Sequence, residues 1–400
     1  MDQFLATETI IIELLLVVSL VAIAVRRLRI PYTVALVLVG LLITFGQPIE
    51  LDLTPDLILA LFVPPLVFEA ALHIEYRRLR EALVPIVALA VPGVLLTAAL
   101  VGAVVSAGVG VSITTGLLFG ALIAATDPVA VVALVRALGA PKSLTVLVEG
   151  ESLFNDGTAI VFFRLILAAV VALAGSQAAD VTLIITTGVV DFVRVAVGGV
   201  AIGLGLGWLV AQVIARLDDY LIETTLTTVL AFGSFLVAER LHVSGVLAVV
   251  SAGILCGNVG LRGMSPTTRI VLFNFWEYLT FVANSLVFLL IGLDVNIPQL
   301  VAAIGPILVA VLAVVGSRAL VVYGLLWLLK RRGPPVALAY RHVLFWGGLR
   351  GALSLALVLS LPITFADREL LRVMTFGVVL FTLLIQGTTM NLLLRRLGLV

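Results

Sequence analysis

Five ionisable residues stand inside stretches that are otherwise apolar: Glu69, Asp127, Glu151, Asp156 and Arg350. A charge at the centre of a bilayer costs about 2.5–3.5 kcal/mol on insertion scales, so each marks function or a buried network. The richest run is Glu149-Gly150-Glu151-Ser152-Leu153-Phe154-Asn155-Asp156-Gly157. At about 100° per helical residue, Glu149, Ser152 and Asp156 share one face, and Glu151 and Asn155 form an adjacent stripe. The first stripe offers a hydroxyl and a carboxylate, hard oxygen ligands suited to a small alkali cation. On the second, Glu151 reads as the structural partner of Arg350, because a bidentate pair neutralises both charges in low dielectric. For Asp127 and Asp156 no equal number of buried bases is evident. They are therefore the candidates for binding a cation and a proton.

The elements that carry these residues must lie in lipid. Of 400 residues, 62% are hydrophobic and 12% charged, and the mean hydropathy is +1.27. A soluble domain carries about 25% charged residues. A membrane core of about 30 Å takes roughly 20 apolar residues as helix, and helices satisfy their own backbone. The expected fold is therefore an all-α membrane protein. Turn signals and charge clusters predict about thirteen helices near 9–25, 31–46, 55–74, 83–107, 112–138, 143–174, 183–214, 220–240, 243–258, 268–293, 299–329, 336–361 and 367–397. No polar linker divides the chain, so 1–400 reads as one transmembrane domain. Acidic residues precede the first segment and no small-residue cleavage site follows it, so it reads as a retained helix. The net charge of +1 gives no sign of nucleic-acid binding, and the lone Cys256 excludes an internal disulfide framework.

Loop charges orient the bundle. Alternate connections hold Arg26, Arg27, Arg29; Arg77, Arg78, Arg80; Arg136, Lys142; Arg216; Arg262, Arg269; Lys330, Arg331, Arg332, Arg341; and Arg395, Arg396. The intervening connections carry Glu50, Asp52, Asp56, then Asp180, then Asp294. Positive charge stays cytoplasmic, which puts the N-terminus outside and the C-terminus inside a cell (inner) membrane. Measured from these basic markers, Asp127, Glu151, Arg350 and Glu69 lie eight or nine residues deep, ~12–14 Å from the inner boundary at about 1.5 Å per residue. An odd helix count suggests two inverted six-helix repeats, roughly 1–174 and 220–400, joined by a linking helix at roughly 183–214. The fifth helix of each half carries a breaker: Thr126-Asp127-Pro128 in one, Gly347-Gly348-Leu349-Arg350-Gly351 in the other.

The stretches Ala125-Thr126-Asp127-Pro128-Val129-Ala130-Val131, Gly150-Glu151-Ser152-Leu153-Phe154-Asn155-Asp156 and Gly347-Gly348-Leu349-Arg350-Gly351-Ala352 resemble the signatures of NhaP-type bacterial antiporters and animal sodium/proton exchangers. Pro64-Pro65-Leu66-Val67-Phe68-Glu69 resembles their third-helix motif. The order and spacing fit over nearly the whole chain. The resemblance implies a homodimer and elevator-like alternating access. It also implies a cation site at Asp156 and Asp127, assisted by Ser152, the Thr126 carbonyl and Glu69, with Asn155 orienting Asp127. Many relatives carry a cytosolic regulatory domain that does not occur in these residues.

The expected activity is exchange of Na+, Li+ or K+ for H+, the two competing for one carboxylate site; no catalytic residue and no resident cofactor are expected. A carboxylate in a poorly hydrated cavity must be neutralised by a proton or a cation before its bundle can cross the apolar barrier. No phosphate-binding GxxxxGK[ST] motif occurs, so a gradient must drive the cycle. Relatives that move unequal charge carry a second aspartate where Asn155 stands, so one-for-one, electroneutral exchange is expected. A cation channel is the alternative that shares these features. An intramembrane aspartyl protease is disfavoured, because Asp156 follows Leu-Phe-Asn rather than Gly-x-Gly.

Other features read as structural. Gly199, Gly203 and Gly207 recur every four residues in an apolar helix and predict close helix packing. His73, His242 and His342 are too dispersed for a zinc site, although His73 stands at the cytoplasmic funnel. Asp191 and Arg194 are spaced to pair. Glu223 and Glu277 belong either to a network or to the cytoplasmic approach, and Arg164 and Arg318 have no partner legible in sequence.

Overall fold

The computed structural model describes residues 2–28, 32–46, 55–175, 181–293, 297–330 and 336–400, and no strand occurs among them. The loop charges Arg29, Glu50, Asp52, Asp180, Asp294, Arg331 and Arg332 lie outside the described residues. The chain begins with α1 (Asp2–Leu28), α2 (Tyr32–Gly46) and α3 (Pro55–Leu72). Next come α4 (Tyr76–Ala90) and α5 (Pro92–Val109), broken where Pro92 brings no amide and takes the first position of a new helix. Gly110, at φ +82, ends α5 in the left-handed region, and the Ser112 hydroxyl accepts from Thr115 N to start α6 (Ile113–Ala124). After α7 (Val129–Ala137) run the long α8 (Lys142–Gly175) and α9 (Val181–Ile214). Asp219 caps α10 (Tyr220–Arg240) and Ser244 caps α11 (Gly245–Leu255), which continues through one π turn into α12 (Leu261–Gly263). Then follow α13 (Pro266–Leu293), α14 (Ile297–Ala302) and α15 (Ile304–Leu329). The last are α16 (Leu338–Trp346), α17 (Ala352–Leu359), α18 (Arg368–Phe381) and, past a second π turn, α19 (Thr388–Arg396).

Among the described residues, 9 helical units are long and apolar enough to cross a membrane, and three shorter apolar helices accompany them. The α16–α17 unit, interrupted in its middle, adds a further apolar pair. Large apolar side chains face outward as well as inward. On α9, Val189, Val190, Val193, Val197, Trp208 and Leu209 are exposed, as helices bathed in hydrocarbon require. Where helices meet, small residues let backbones touch. A Cβ on Gly199 or Gly203 would strike the carbonyls of Ser244 and Ala248, so the glycine stripe of α9 is a packing seam against α11.

Two large apolar cores result, with a small third cluster of Val94, Ala124, Ala125 and Ala159 beside the first helix break. The larger joins residues of α3 to α11, α13 and α15 to α19. The smaller gathers α1, α2 and α13 around Leu36, Phe288 and Leu289, and packs them on Leu355 of α17 and Phe376 of α18. Residues of both line the functional cavity, Val67 and Leu153 of the larger and Leu66 and Ala352 packed on the smaller.

Candidate functional site

Helices α6–α7 and α16–α17 are each cut in the middle, by residues 125–128 and 347–351. The cuts are joined to one another, since the Asp127 amide donates to the Leu349 carbonyl at 2.8 Å. Cutting a helix leaves free carbonyls and a partial negative charge at one end, and free amides and a partial positive charge at the other. Two arginines meet the carbonyl ends. Arg350 Nη1 donates to Ala124 O and Ala125 O, both at 2.7 Å, and so closes α6. Arg318 of α15 donates from Nε and Nη2 to Leu344 O at 3.2 and 3.0 Å, and so closes α16. Asp127 meets the amide ends. Its Oδ1 accepts from Val129 N of α7 at 3.0 Å. A Cβ on Gly351, the residue before α17, would run into the same carboxylate. Each charge therefore offsets helix ends of opposite sign.

These breaks open on a cavity of about 590 Å³. Glu69 from α3, Thr126 and Asp127 from the first break, and Glu149, Ser152 and Asp156 from α8 all line it. Ser152 and Asp156 are thus brought to Asp127 and the Thr126 carbonyl, as their shared helical face predicts. The Ser152 hydroxyl donates to Thr126 O at 2.7 Å, which fixes α8 to the break and leaves the serine lone pairs free to accept a ligand. Asn155 stands behind this wall and donates to Thr126 Oγ1 at 2.9 Å and to Glu151 Oε1 at 3.1 Å. At the cavity's edge, Glu149 pairs with Arg136 of α7. His73 Nδ1 lies 3.2 Å from Glu69 Oε1, one helical turn away. Glu277 of α13 also lines the cavity, which places it on the approach; Glu223, fully buried near the start of α10, does not.

Two expectations are corrected. Glu151 does not pair with Arg350. It holds Arg318 in a bidentate pair, Nη1–Oε1 at 2.8 Å and Nη2–Oε2 at 2.9 Å. Depth along the helices matches Glu151 to Arg350, but depth says nothing of lateral position, and the free carbonyls of α6 compete for the Arg350 guanidinium. Asn155 likewise makes no hydrogen bond to Asp127. It reaches the neighbouring Thr126 side chain, because the Asp127 carboxylate is turned toward the amide ends of α7 and α17. Sequence reasoning missed Arg318 as a central network member, although a lone arginine within the apolar α15 was itself a signal. It also gave Glu149 no role despite its place on the Ser152–Asp156 face. The expected Asp191–Arg194 pair is present at 3.4 Å, and Arg164 finds Glu239 at 2.9 Å.

A bundle of apolar helices with two interrupted members meeting at buried carboxylates defines a secondary membrane transporter. The chain belongs to the transmembrane sodium/hydrogen exchanger family, whose model matches residues 14–396. The Na+/H+ antiporter ApNhaP of Aphanothece halophytica is 42% identical over 374 residues, spanning 93% of this chain and 70% of its own. The Na+/H+ antiporter NhaH of Halobacillus dabanensis is 36% identical and spans 98% of both chains. The structure of the sodium proton antiporter MjNhaP1 from Methanocaldococcus jannaschii superposes with a TM-score of 0.80 over 99% of both chains, at 21% identity, a likeness of fold.

Proposed function

We propose that this protein is a secondary active antiporter that exchanges Na+, or Li+ or K+, for H+ one for one across a cell membrane. The observation that carries the reading is an imbalance of charge. Asp127 and Asp156 line one cavity, while the two buried arginines behind it face other groups, Arg318 bonding Glu151 and the α16 end, Arg350 bonding the α6 end. Asp127 answers the N-terminus of α7 and abuts the residue before α17. Asp156 has no such partner and takes either the proton or the cation. Ser152, the Thr126 carbonyl and, through water, Glu69 complete an oxygen shell for the ion; Asn155 holds Thr126 in place.

A neutralised site crosses the apolar barrier and a bare carboxylate does not, which couples the two fluxes. This reading includes alternating access by inverted repeats of six helices, thirteen in all, in a homodimer with its N-terminus outside and C-terminus in the cytoplasm. The relatives named above and the joined helix breaks support it. Proteoliposomes holding a trapped pH dye test it. Added Na+ should drive proton movement in the wild type and none in Asp156→Asn. Cation uptake without opposite proton movement would show a channel instead.

A further inference from the structure

On the α2–α13–α17 wall of the cavity lie three polar atoms that the cation site above does not use. Thr33 Oγ1, Asn284 Oδ1 and Ser354 Oγ are all buried and all without a hydrogen-bond partner, on residues that are 5%, 8% and 1% exposed. All three residues line the cavity that holds Asp127 and Asp156. An unpaired buried hydroxyl or amide is costly, and native proteins keep few of them. Three on one wall, from three helices, call for a ligand in common.

The surroundings define that ligand. On α13, Glu277, Thr280, Phe281 and Asn284 recur at helical spacing and all face the cavity. Glu277, at the start of this stripe, is exposed, and Asn284, at its end, is buried. The Thr280 hydroxyl donates to Pro65 O at 3.1 Å, whereas the Asn284 Oδ1 has no hydrogen-bond partner. Ser354 stands one turn along α17 from Gly351, the residue that abuts Asp127. Leu355, next to it, packs in the same small core as Val34 of α2 and Ala283 of α13, so the three helices are held together here.

We infer that Thr33, Asn284 and Ser354 form a second, uncharged oxygen subsite for an alkali cation, which takes up a partly dehydrated ion on its way between Glu277 and the Asp127–Asp156 carboxylates. The inference rests on the antiport reading. Hydroxyl and amide oxygens replace hydration water, yet carry no charge that would trap the ion, which is what transit demands. Two of the three come from α2 and α13 and the third from the broken helix, and the smaller core holds all three helices together at this wall.

The test uses Thr33→Val, Ser354→Ala and Asn284→Leu, each near in shape to the residue it replaces. In proteoliposomes with a trapped pH dye, each should raise the apparent KM for Na+ by roughly 2- to 12-fold, the factor for one neutral polar contact. The rate at saturating Na+ should change less than KM, and the KM values for Li+, Na+ and K+ should rise unequally. A second readout needs no transport: the Na+ concentration giving half-maximal thermal stabilisation of the purified protein should rise by the same factor. Unchanged KM and unchanged half-stabilising Na+ in the variants would overturn the subsite. So would a lowered melting temperature with both of those values unmoved, since that marks a packing role only. If the wild type itself shows no Na+-driven proton movement, the antiport reading fails, and the stabilisation series alone decides whether the subsite binds a cation.

Discussion

Removing one partner of the Glu151–Arg318 pair should cost far more than removing both. The pair is bidentate, at 2.8 and 2.9 Å, and both side chains are almost fully buried. Glu151→Gln leaves the Arg318 guanidinium without its counter-charge in low dielectric, and Arg318→Met leaves the carboxylate exposed to the same fate. Such a loss costs about 3–5 kcal/mol. Unfolding entropy near 2.1 cal/mol/K per residue makes ~1 kcal/mol worth ~1.2 °C for a chain this long. Each single variant should therefore melt roughly 4–6 °C below the wild type in detergent. The double variant should melt above the sum of the two losses, because no uncompensated charge remains. Arg350→Met provides the contrast. It uncovers the Ala124 and Ala125 carbonyls, and its loss should add to that of Glu151→Gln with coupling below that of the Arg318 cycle. Strict additivity of Glu151→Gln with Arg318→Met would refute the pair. A stronger coupling to Arg350 than to Arg318 would refute the whole arrangement of the two arginines.

Asp127→Asn, like Asp156→Asn, should abolish cation-driven proton movement while the protein inserts and melts normally; undiminished exchange in Asp156→Asn would move the site elsewhere. Gly351→Ala drives a methyl into the Asp127 carboxylate, so it should cut exchange at least tenfold, and wild-type rates would show that the two breaks are not held as tightly as their contact requires. One-for-one exchange predicts that holding vesicles at 0 or −100 mV leaves the equilibrium cation-to-proton gradient unchanged. One net charge through 100 mV is worth about 2.3 kcal/mol, a bias of roughly fiftyfold, so a clear shift would mean that a second group titrates. Single cysteines replacing Arg29 and Arg331 should label only from the cytoplasm, and one replacing Asp52 only from outside; labelling of all three from one side would overturn the topology.

Composition and apolar periodicity by themselves determined that this is an all-helical membrane protein, because 62% hydrophobic residues have no solvent but lipid. Helical geometry alone put Ser152 and Asp156 on one face, and the structure brings both to the Asp127 break, since a rigid helix preserves angular order over one turn. Proline and glycine in the middle of apolar stretches located both interruptions for the same local reason. What tertiary structure decided was partnership. Arg350 and Glu151 lie at equal depth and carry opposite charge, yet each bonds elsewhere, because helix ends also attract arginines and only the packed bundle decides which partner is within reach. Arg318, with no neighbour in sequence to explain it, answers Glu151 from 167 residues away. The Thr33, Asn284 and Ser354 oxygens are ordinary residues in three separate segments. Their common wall exists only once α2, α13 and α17 pack together, since a shared cavity belongs to the fold and to no single stretch of chain.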